Sequence, residues 1–475
     1  MLFFGIDVGT QGVRGVICDE KGNVQASAEC GFVRFNSSRM AGRYEQEPEV
    51  WWESAVQVIS GCVKELKTRG IPVDSLMALS IDGTSGTIVP VNAEGRELRS
   101  AIMYNDMRSV GQAELIHMQG YSFNASFALP KILWIKENQP QIYEKTDCFI
   151  HQTDYLVGKL TGNYRVTDYS NALKTGYDLA EEKWPAVIKK LGLDMEKFPT
   201  VLPPGKVIGK VHRKMAEELG LPKNMMVTGG ATDGYSSALA AGAVKVGDWA
   251  SIIGTTLVLK GITSKRIANP GGGGYSHKLP SGAWMFGGAS NIGGRCLNDF
   301  FSKEEFPSLN KKVEKVIPTG VLSYPLHGRG ERFPFLDLQA EAFYLGDMSR
   351  REVRYAALME GVAYAERLAF ERMESFGAAA GNSVCTTGGA CKSEEWLKIR
   401  ASVLNRQLKV PKVTGAAVGS ALLAAGGTWY TSLEEASGVM ISFEKTVEPD
   451  KSLVGAYDEL YYRAYEEYRR RYTFE

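Results

Sequence analysis

The sequence predicts an α/β chain built as two similar halves, and three observations carry that expectation. Its 475 residues exceed what one hydrophobic core organises, since domains run roughly 100–200 residues. Short apolar runs parted by turn residues give way to helical spacing and then to a further apolar run. After residue 245 the same pattern restarts, which divides the chain into a first half, 1–245, and a second, 246–475.

Leu2–Ile6 is an apolar run, Asp7-Val8-Gly9-Thr10 has turn chemistry, Val13–Cys18 is a second run, and Asp19-Glu20-Lys21-Gly22-Asn23 turns into a third. That reads as a strand meander. Apolar residues at helical spacing fill 49–69 behind Pro48, and 77–81 returns to strand character. In the second half Trp249–Ile253 is a strand, Gly254-Thr255-Thr256 a turn and Leu257–Gly261 a strand; a glycine tract follows at 271–274. A helix over about 350–376, a strand at 383–386, the turn Gly388-Gly389-Ala390 and helices near 393–405 and 415–426 complete the pattern. The tail shows one amphipathic stripe, Ala456, Tyr457, Leu460, Tyr461, Ala464, Tyr465 and Tyr468, expected to pack on the core.

Composition narrows the functional classes. Hydrophobic residues at 44% and charged ones at 23% fit a packed soluble protein, and 55 Lys+Arg against 54 Asp+Glu leave a net charge of +1. Neither nucleic acid nor an anionic membrane surface is called for by that balance. Seven scattered cysteines without a C-x-x-C suggest neither a disulfide framework nor a zinc site, so a reducing cytoplasm is the expected location. The start lacks a basic leader, and no run of about 18 apolar residues follows. A homodimer is an assembly the sequence leaves open. Glycine, at 52 residues, is in excess and clustered.

Neither a P-loop nor a dinucleotide fingerprint is present, so other anion-binding turns matter. Gly9-Thr10 and Gly254-Thr255-Thr256 each present backbone N–H groups and hydroxyls suited to phosphate, though each also reads as a plain hairpin turn. Asp7 stands at the end of an apolar strand, where a carboxylate is costly unless it meets a cation such as Mg²⁺; Arg14, one strand on, is either a phosphate contact or its salt-bridge partner. Met225-Met226-Val227 delivers Asp233 into a glycine-rich turn before an Ala-rich helix, which makes it a candidate base or a helix N-cap. The strand–turn–helix Val384–Ser393 leaves room for a flat ring beside Gly389 and Ala390.

Together these motifs resemble the FGGY carbohydrate kinases. Asp7-Val8-Gly9-Thr10-Gln11-Gly12-Val13-Arg14 is similar to the family's first phosphate motif, Gly254-Thr255-Thr256 to its second, and Gly388-Gly389-Ala390 with Ser393 and Trp396 to its adenosine motif. Ala231-Thr232-Asp233-Gly234 resembles the segment supplying the catalytic aspartate, and Lys131–Asn138, and Leu160-Thr161-Gly162 with Thr167–Ala172, resemble further family segments. Ala128 departs from the first of these, and 357–372 fits the C-terminal signature only loosely. The resemblance spans residue 2 to about 430 and implies two ribonuclease H-like, actin-type domains closing over ATP and a sugar in the cleft between them. It further implies Mg²⁺ at Asp7, phosphate at Thr10, Gln11, Arg14 and Gly254–Thr256, the adenosine at 388–396, and Asp233 as base.

The acceptor pocket is expected around Asp82, Thr84 and Ser85 and around Asn105, Asp106 and Arg108, both dense in hydroxyl-binding groups. The alternatives are an Asx turn for Asp82 and an internal ion pair for Asp106 and Arg108. The stretch Asp82–Thr87 resembles the sugar turn of D-ribulose kinases and differs from the Gln-Met-His-Gly of xylulokinases, so a ketopentose, first of all D-ribulose, is the expected substrate, with D-xylulose or L-ribulose next. An actin-like ATPase and a catalytically silent sugar sensor are the readings from other classes; a sensor would tend to lack Asp7 or Asp233, and both are present.

Overall fold

In the computed structural model, described for residues 1–33, 38, 40–268, 273–379 and 381–473, the chain divides into two compact units. The first comprises Met1–Ala240, His277–Ser281 and Gly415–Ile441; the second comprises Ala241–Ser276, Gly282–Thr414 and Ser442–Glu475.

The first unit opens with the expected meander, β1 (Leu2–Val8), β2 (Gly12–Asp19) and β3 (Val24–Gly31). The chain then crosses through helix Pro48–Thr68 and returns as β4 (Leu76–Gly83), parallel to β1. With β5 (Val207–Lys210) and β6 (Met226–Thr228) the order across the sheet is β5-β6-β4-β1-β2-β3. β1 lies centrally and is buried at every position, so it is apolar without alternation apart from Gly5 and Asp7. Leu2, Phe4, Ile6 and Val8 face helix Pro48–Thr68, whose stripe of Trp51, Ala55, Val58, Ile59, Cys62, Val63 and Leu66 repeats every three or four residues. Burying each large side chain there contributes about 1.5–3 kcal/mol.

The other face of β1 carries helix Ala416–Thr428. A side chain at Gly5 would bring its Cβ within 1.7 Å of the Ala417 carbonyl oxygen, so this helix lies flush on the strand because residue 5 has none. The compact units are not continuous in sequence. Segments 277–281 and 415–441 belong to the first unit, the latter through the close contact of its Ala417 with Gly5.

The second unit repeats the plan. β7 (Trp249–Ile253), β8 (Leu257–Thr263) and β9 (Trp284–Ser290) form an antiparallel meander, and β10 (Ser383–Thr387) lies parallel to β7 after the long helix Arg351–Ser375. β11 (Gln407–Pro411) and β12 (Phe443–Val447) extend the sheet. The duplication visible in the sequence is therefore a duplication of topology: two antiparallel neighbours, then a parallel one delivered by a helix. Helix Lys451–Arg471 buries Tyr457, Leu460, Tyr461, Ala464 and Tyr468 as expected, whereas Ala456 of the same stripe is exposed. Residues 271 and 272 of the glycine tract lie outside the described residues; 274 begins the strand Gly274–Lys278.

Candidate active site

Strand register brings three acids of the first unit together. Asp7 is the penultimate residue of β1 and pairs in register with Asp82 on β4, while Ala231, of the two-residue strand Ala231–Thr232, pairs with Asp82 from the other side. Asp233 follows immediately and opens helix Asp233–Ala240. Parallel strands thus end their carboxylates at one edge, the usual place for a site in such sheets.

Asp82 is fully buried. Its Oδ2 accepts from the Ser420 hydroxyl at 2.6 Å, and its buried Oδ1 meets no donor among the described residues. Burial raises its pKa well above the ordinary value, and the charge of Asp7 adds to that. The pKa of Asp7 is raised by burial as well, against hydrogen bonding to Asp82 and the opposing pull of Arg14, whose Nη1 lies 3.4 Å from Asp7 Oδ2. Of the two, the fully buried Asp82 is the more strongly raised. Among the described residues no backbone N–H of an Asx turn reaches Asp82; β4 carries it into the sheet beside Asp7.

Asp233 is exposed. Desolvation by the surrounding protein, with the nearby charge of Asp7, raises its pKa to about 6 against the lowering effect of the Gly234 amide. The carboxylate accepts from the Gly234 N–H at 2.6 Å, not from an amide two or three residues on as an N-cap does. Thr232 N donates to Ser170 Oγ at 2.7 Å, which fixes the strand end in front of it.

The remaining first-unit candidates separate into open and committed groups. Thr10 is half-buried, with its carbonyl held by Gln46 Nε2 at 2.9 Å and its hydroxyl 3.5 Å from the Tyr104 hydroxyl; Gln11 is exposed beside it. Thr84 is buried and bound through its N–H and hydroxyl to Gln152 Oε1, at 2.9 and 2.8 Å. Ser85 and Asn105 are half-buried, and Asn105 Oδ1 meets no donor among the described residues. Asp106 and Arg108 bind each other at 2.7 Å, and Arg108 also reaches Glu45 at 2.7 Å and lies over the Trp134 ring. For this pair the ion-pair alternative holds, since both side chains are almost wholly buried.

In the second unit Gly254, Thr255, Gly389, Ala390, Ser393 and Trp396 line one cavity of about 540 Å³. Gly388 turns with φ +97°, and a Cβ there would meet the Ile253 carbonyl at 2.4 Å, so only glycine brings the β10 turn against the β7 turn. Gly254 N–H closes on the Thr256 carbonyl at 3.0 Å, leaving Thr255 exposed. Ser393 caps helix Glu394–Leu404 by accepting from Trp396 N at 3.1 Å. Trp396 is nearly buried, its Nε1 donating to the Met359 carbonyl.

Gln152 and Ser420 were not among the residues singled out from the sequence. Ser420 sits in a run of Ala, Gly, Val and Leu some 340 residues from Asp82, and no local pattern announces it.

Two family descriptions match: the N-terminal domain of the FGGY family of carbohydrate kinases over residues 2–240, and the C-terminal domain over 250–427. A xylulose kinase of Staphylococcus epidermidis is 28% identical over 97% of this chain and 95% of its own. One from Bacillus subtilis is 26% identical over 96% and 94%. A crystal structure described as a xyloylose kinase from Brucella ovis superposes with a TM-score of 0.88 at 26% identity, covering 99% of both chains. Two duplicated α/β domains, the acids at their strand ends and matches across both halves lead to one conclusion: the chain belongs to the FGGY family of carbohydrate kinases and is a sugar kinase.

Proposed function

We propose that the protein transfers the γ-phosphoryl group of MgATP to the terminal hydroxyl of a ketopentose, D-ribulose first. The observation that carries this reading is the meeting of Asp7, Asp82 and Asp233 at adjacent strand ends, Asp7 and Asp82 buried and Asp233 exposed.

Phosphoryl transfer asks mainly for positioning and charge stabilisation. Asp233 accepts the proton of the attacking hydroxyl as its oxygen bonds to phosphorus and the bridging oxygen leaves with ADP. A carboxylate near 6 is deprotonated at neutral pH and a better base than an ordinary aspartate. Thr10 and Gln11 in the first unit, and Gly254, Thr255 and Thr256 in the second, are the phosphate contacts of this reading. Gly389, Ala390, Ser393 and Trp396, which line the second-unit cavity, surround the adenosine, and Gly388 shapes the turn behind them.

The acids fit a hydrated Mg²⁺. Among the described residues no group of three or more His, Cys, Asp or Glu forms a protein cage, and Mg²⁺ characteristically takes one or two carboxylates plus water and phosphate oxygens. Asp7 would hold it, with Asp82 orienting Asp7; bound there, the ion neutralises phosphate charge. Ser85 and Asn105 are left as sugar contacts, because Thr84, Asp106 and Arg108 already have partners.

D-xylulose is the second reading, favoured by the names of the relatives; the turn Asp82–Thr87 favours D-ribulose. ADP release measured with D-ribulose, D-xylulose, L-ribulose and glycerol decides. D-Ribulose is expected to lead D-xylulose by roughly 5- to 150-fold, the cost of one misplaced hydroxyl. ATP turnover indifferent to every sugar would sink the reading in favour of an ATPase, and D-xylulose in first place would replace D-ribulose. No helix among the described residues is long and apolar enough to cross a membrane; action in the cytoplasm, as a monomer or homodimer, completes the proposal.

A further inference from the structure

The wall of the second-unit cavity contains an amide that the family resemblance did not assign. Asn310, on helix Phe306–Val313, lines the cavity with Tyr355, Ser393 and Trp396. Its Oδ1 accepts from the Tyr355 hydroxyl at 3.0 Å and lies 3.2 Å from Ser393 Oγ. Ser393 has one proton and a second acceptor, Glu395 Oε2 at 3.1 Å, so Tyr355 is the firm anchor. Tyr355 is 1% exposed, and its phenol needs an acceptor. The amide is thereby oriented with its oxygen inward, and its Nδ2 donates to no acceptor among the described residues. Asn310 itself is only half-buried, so those two N–H donors stay within reach of a ligand.

We propose that Asn310 reads the base of the nucleotide with a donor. The inference rests on the cavity being the nucleotide site and goes on to say which bases it takes. An N–H donor pairs with a ring nitrogen or a 6-oxo group of a purine and cannot pair with the 6-amino group of adenine, which is itself a donor. ATP is then held through a ring nitrogen, and triphosphates of 6-oxopurines, ITP and GTP, are phosphoryl donors alongside it. Asn310→Asp keeps the acceptor for Tyr355 but turns the exposed edge from donor to acceptor, which suits a 6-amino group and repels a 6-oxo group.

The test compares kcat/KM for ATP and ITP, with the sugar saturating, in the full-length wild type, N310D and Tyr355→Phe, together with calorimetric binding of ADP and IDP. Wild type is expected to use ITP within about tenfold of ATP. N310D should shift the ATP:ITP ratio at least tenfold toward ATP, with the same shift in ADP over IDP binding. Y355F, which frees the amide to turn over, should shift it in the same direction by less. A preference of wild type for ATP over ITP beyond 100-fold overturns the proposal, even if N310D does not fold. So does an N310D ratio within twofold of wild type, because a merely structural Asn310 weakens ADP and IDP alike. Absence of any nucleotide binding overturns the reading of the cavity itself, whereas normal ADP binding with an unshifted ratio removes only Asn310.

Discussion

Asp82, within a strand, and Asp233, at the start of a helix, show how much position does to a carboxyl group. Asp82 is a buried acid between Ser420 and Asp7, so an asparagine, which also accepts from Ser420 and donates to Asp7, reproduces its protonated form. Asp82→Asn is expected to keep kcat within a few-fold, whereas Asp82→Ala, which strips Asp7 of its neighbour, should lower kcat and raise the Mg²⁺ concentration needed for half-maximal rate. Equal losses in both variants would return Asp82 to a role that needs its charge. Asp233 must be ionised to accept a proton. Its pKa near 6 therefore predicts kcat falling as pH drops through about 6 and levelling above it. Asp233→Ala should lose ~10²–10⁴-fold in kcat with nucleotide and sugar affinity retained. A kcat flat between pH 5 and 8, or near-normal turnover in the alanine variant, counts against Asp233 as base.

Among the elements, the long helix Arg351–Ser375 carries a second perturbed acid away from the chemistry. Glu360 is fully buried and accepts from Thr319 and from the Tyr457 hydroxyl of helix Lys451–Arg471, at 3.1 Å for the latter. Burial raises its pKa from 4.5 to about 7, against those hydrogen bonds. The folded state therefore holds this proton more tightly than the unfolded chain. Its contribution is complete below about pH 4.5 and is lost as pH rises through about 7, by an amount on the order of 3 kcal/mol. Glu360→Gln should flatten that dependence, and its melting temperature should exceed the wild type's at pH 8 by more than at pH 5. Parallel melting curves across that range would show that Glu360 is ionised in the folded protein. The same two helices illustrate what periodicity predicts. The inward stripe of helix Lys451–Arg471 was readable because a helix that packs on one side repeats its apolar residues every three or four positions, whereas Arg351–Ser375 is buried all round from Tyr355 to Glu366.

At the scale of the whole chain, the first unit is discontinuous, and that predicts how fragments behave. Residues 1–240 alone leave the Gly5 face of β1 without helix Ala416–Thr428, so this fragment should aggregate or melt without a cooperative transition. Joining 415–441 to it through a flexible linker should restore a cooperative melt. Equal melting midpoints with and without the segment would show that the first unit closes without it. The sequence by itself determined the duplication and most strand and helix positions, and it singled out the glycine turns and Asp233 as candidates. Each of these is a local pattern, an alternation, a helical period or a glycine turn, that a short window of chain contains. Only the tertiary structure decided that Asp82 lies in register with Asp7, that Asp106 and Arg108 bind each other, that Ser420 donates to Asp82 and that 415–441 belongs to the first unit. Those facts depend on parallel register and on which face a distant helix covers, and both are set by packing between residues hundreds of positions apart.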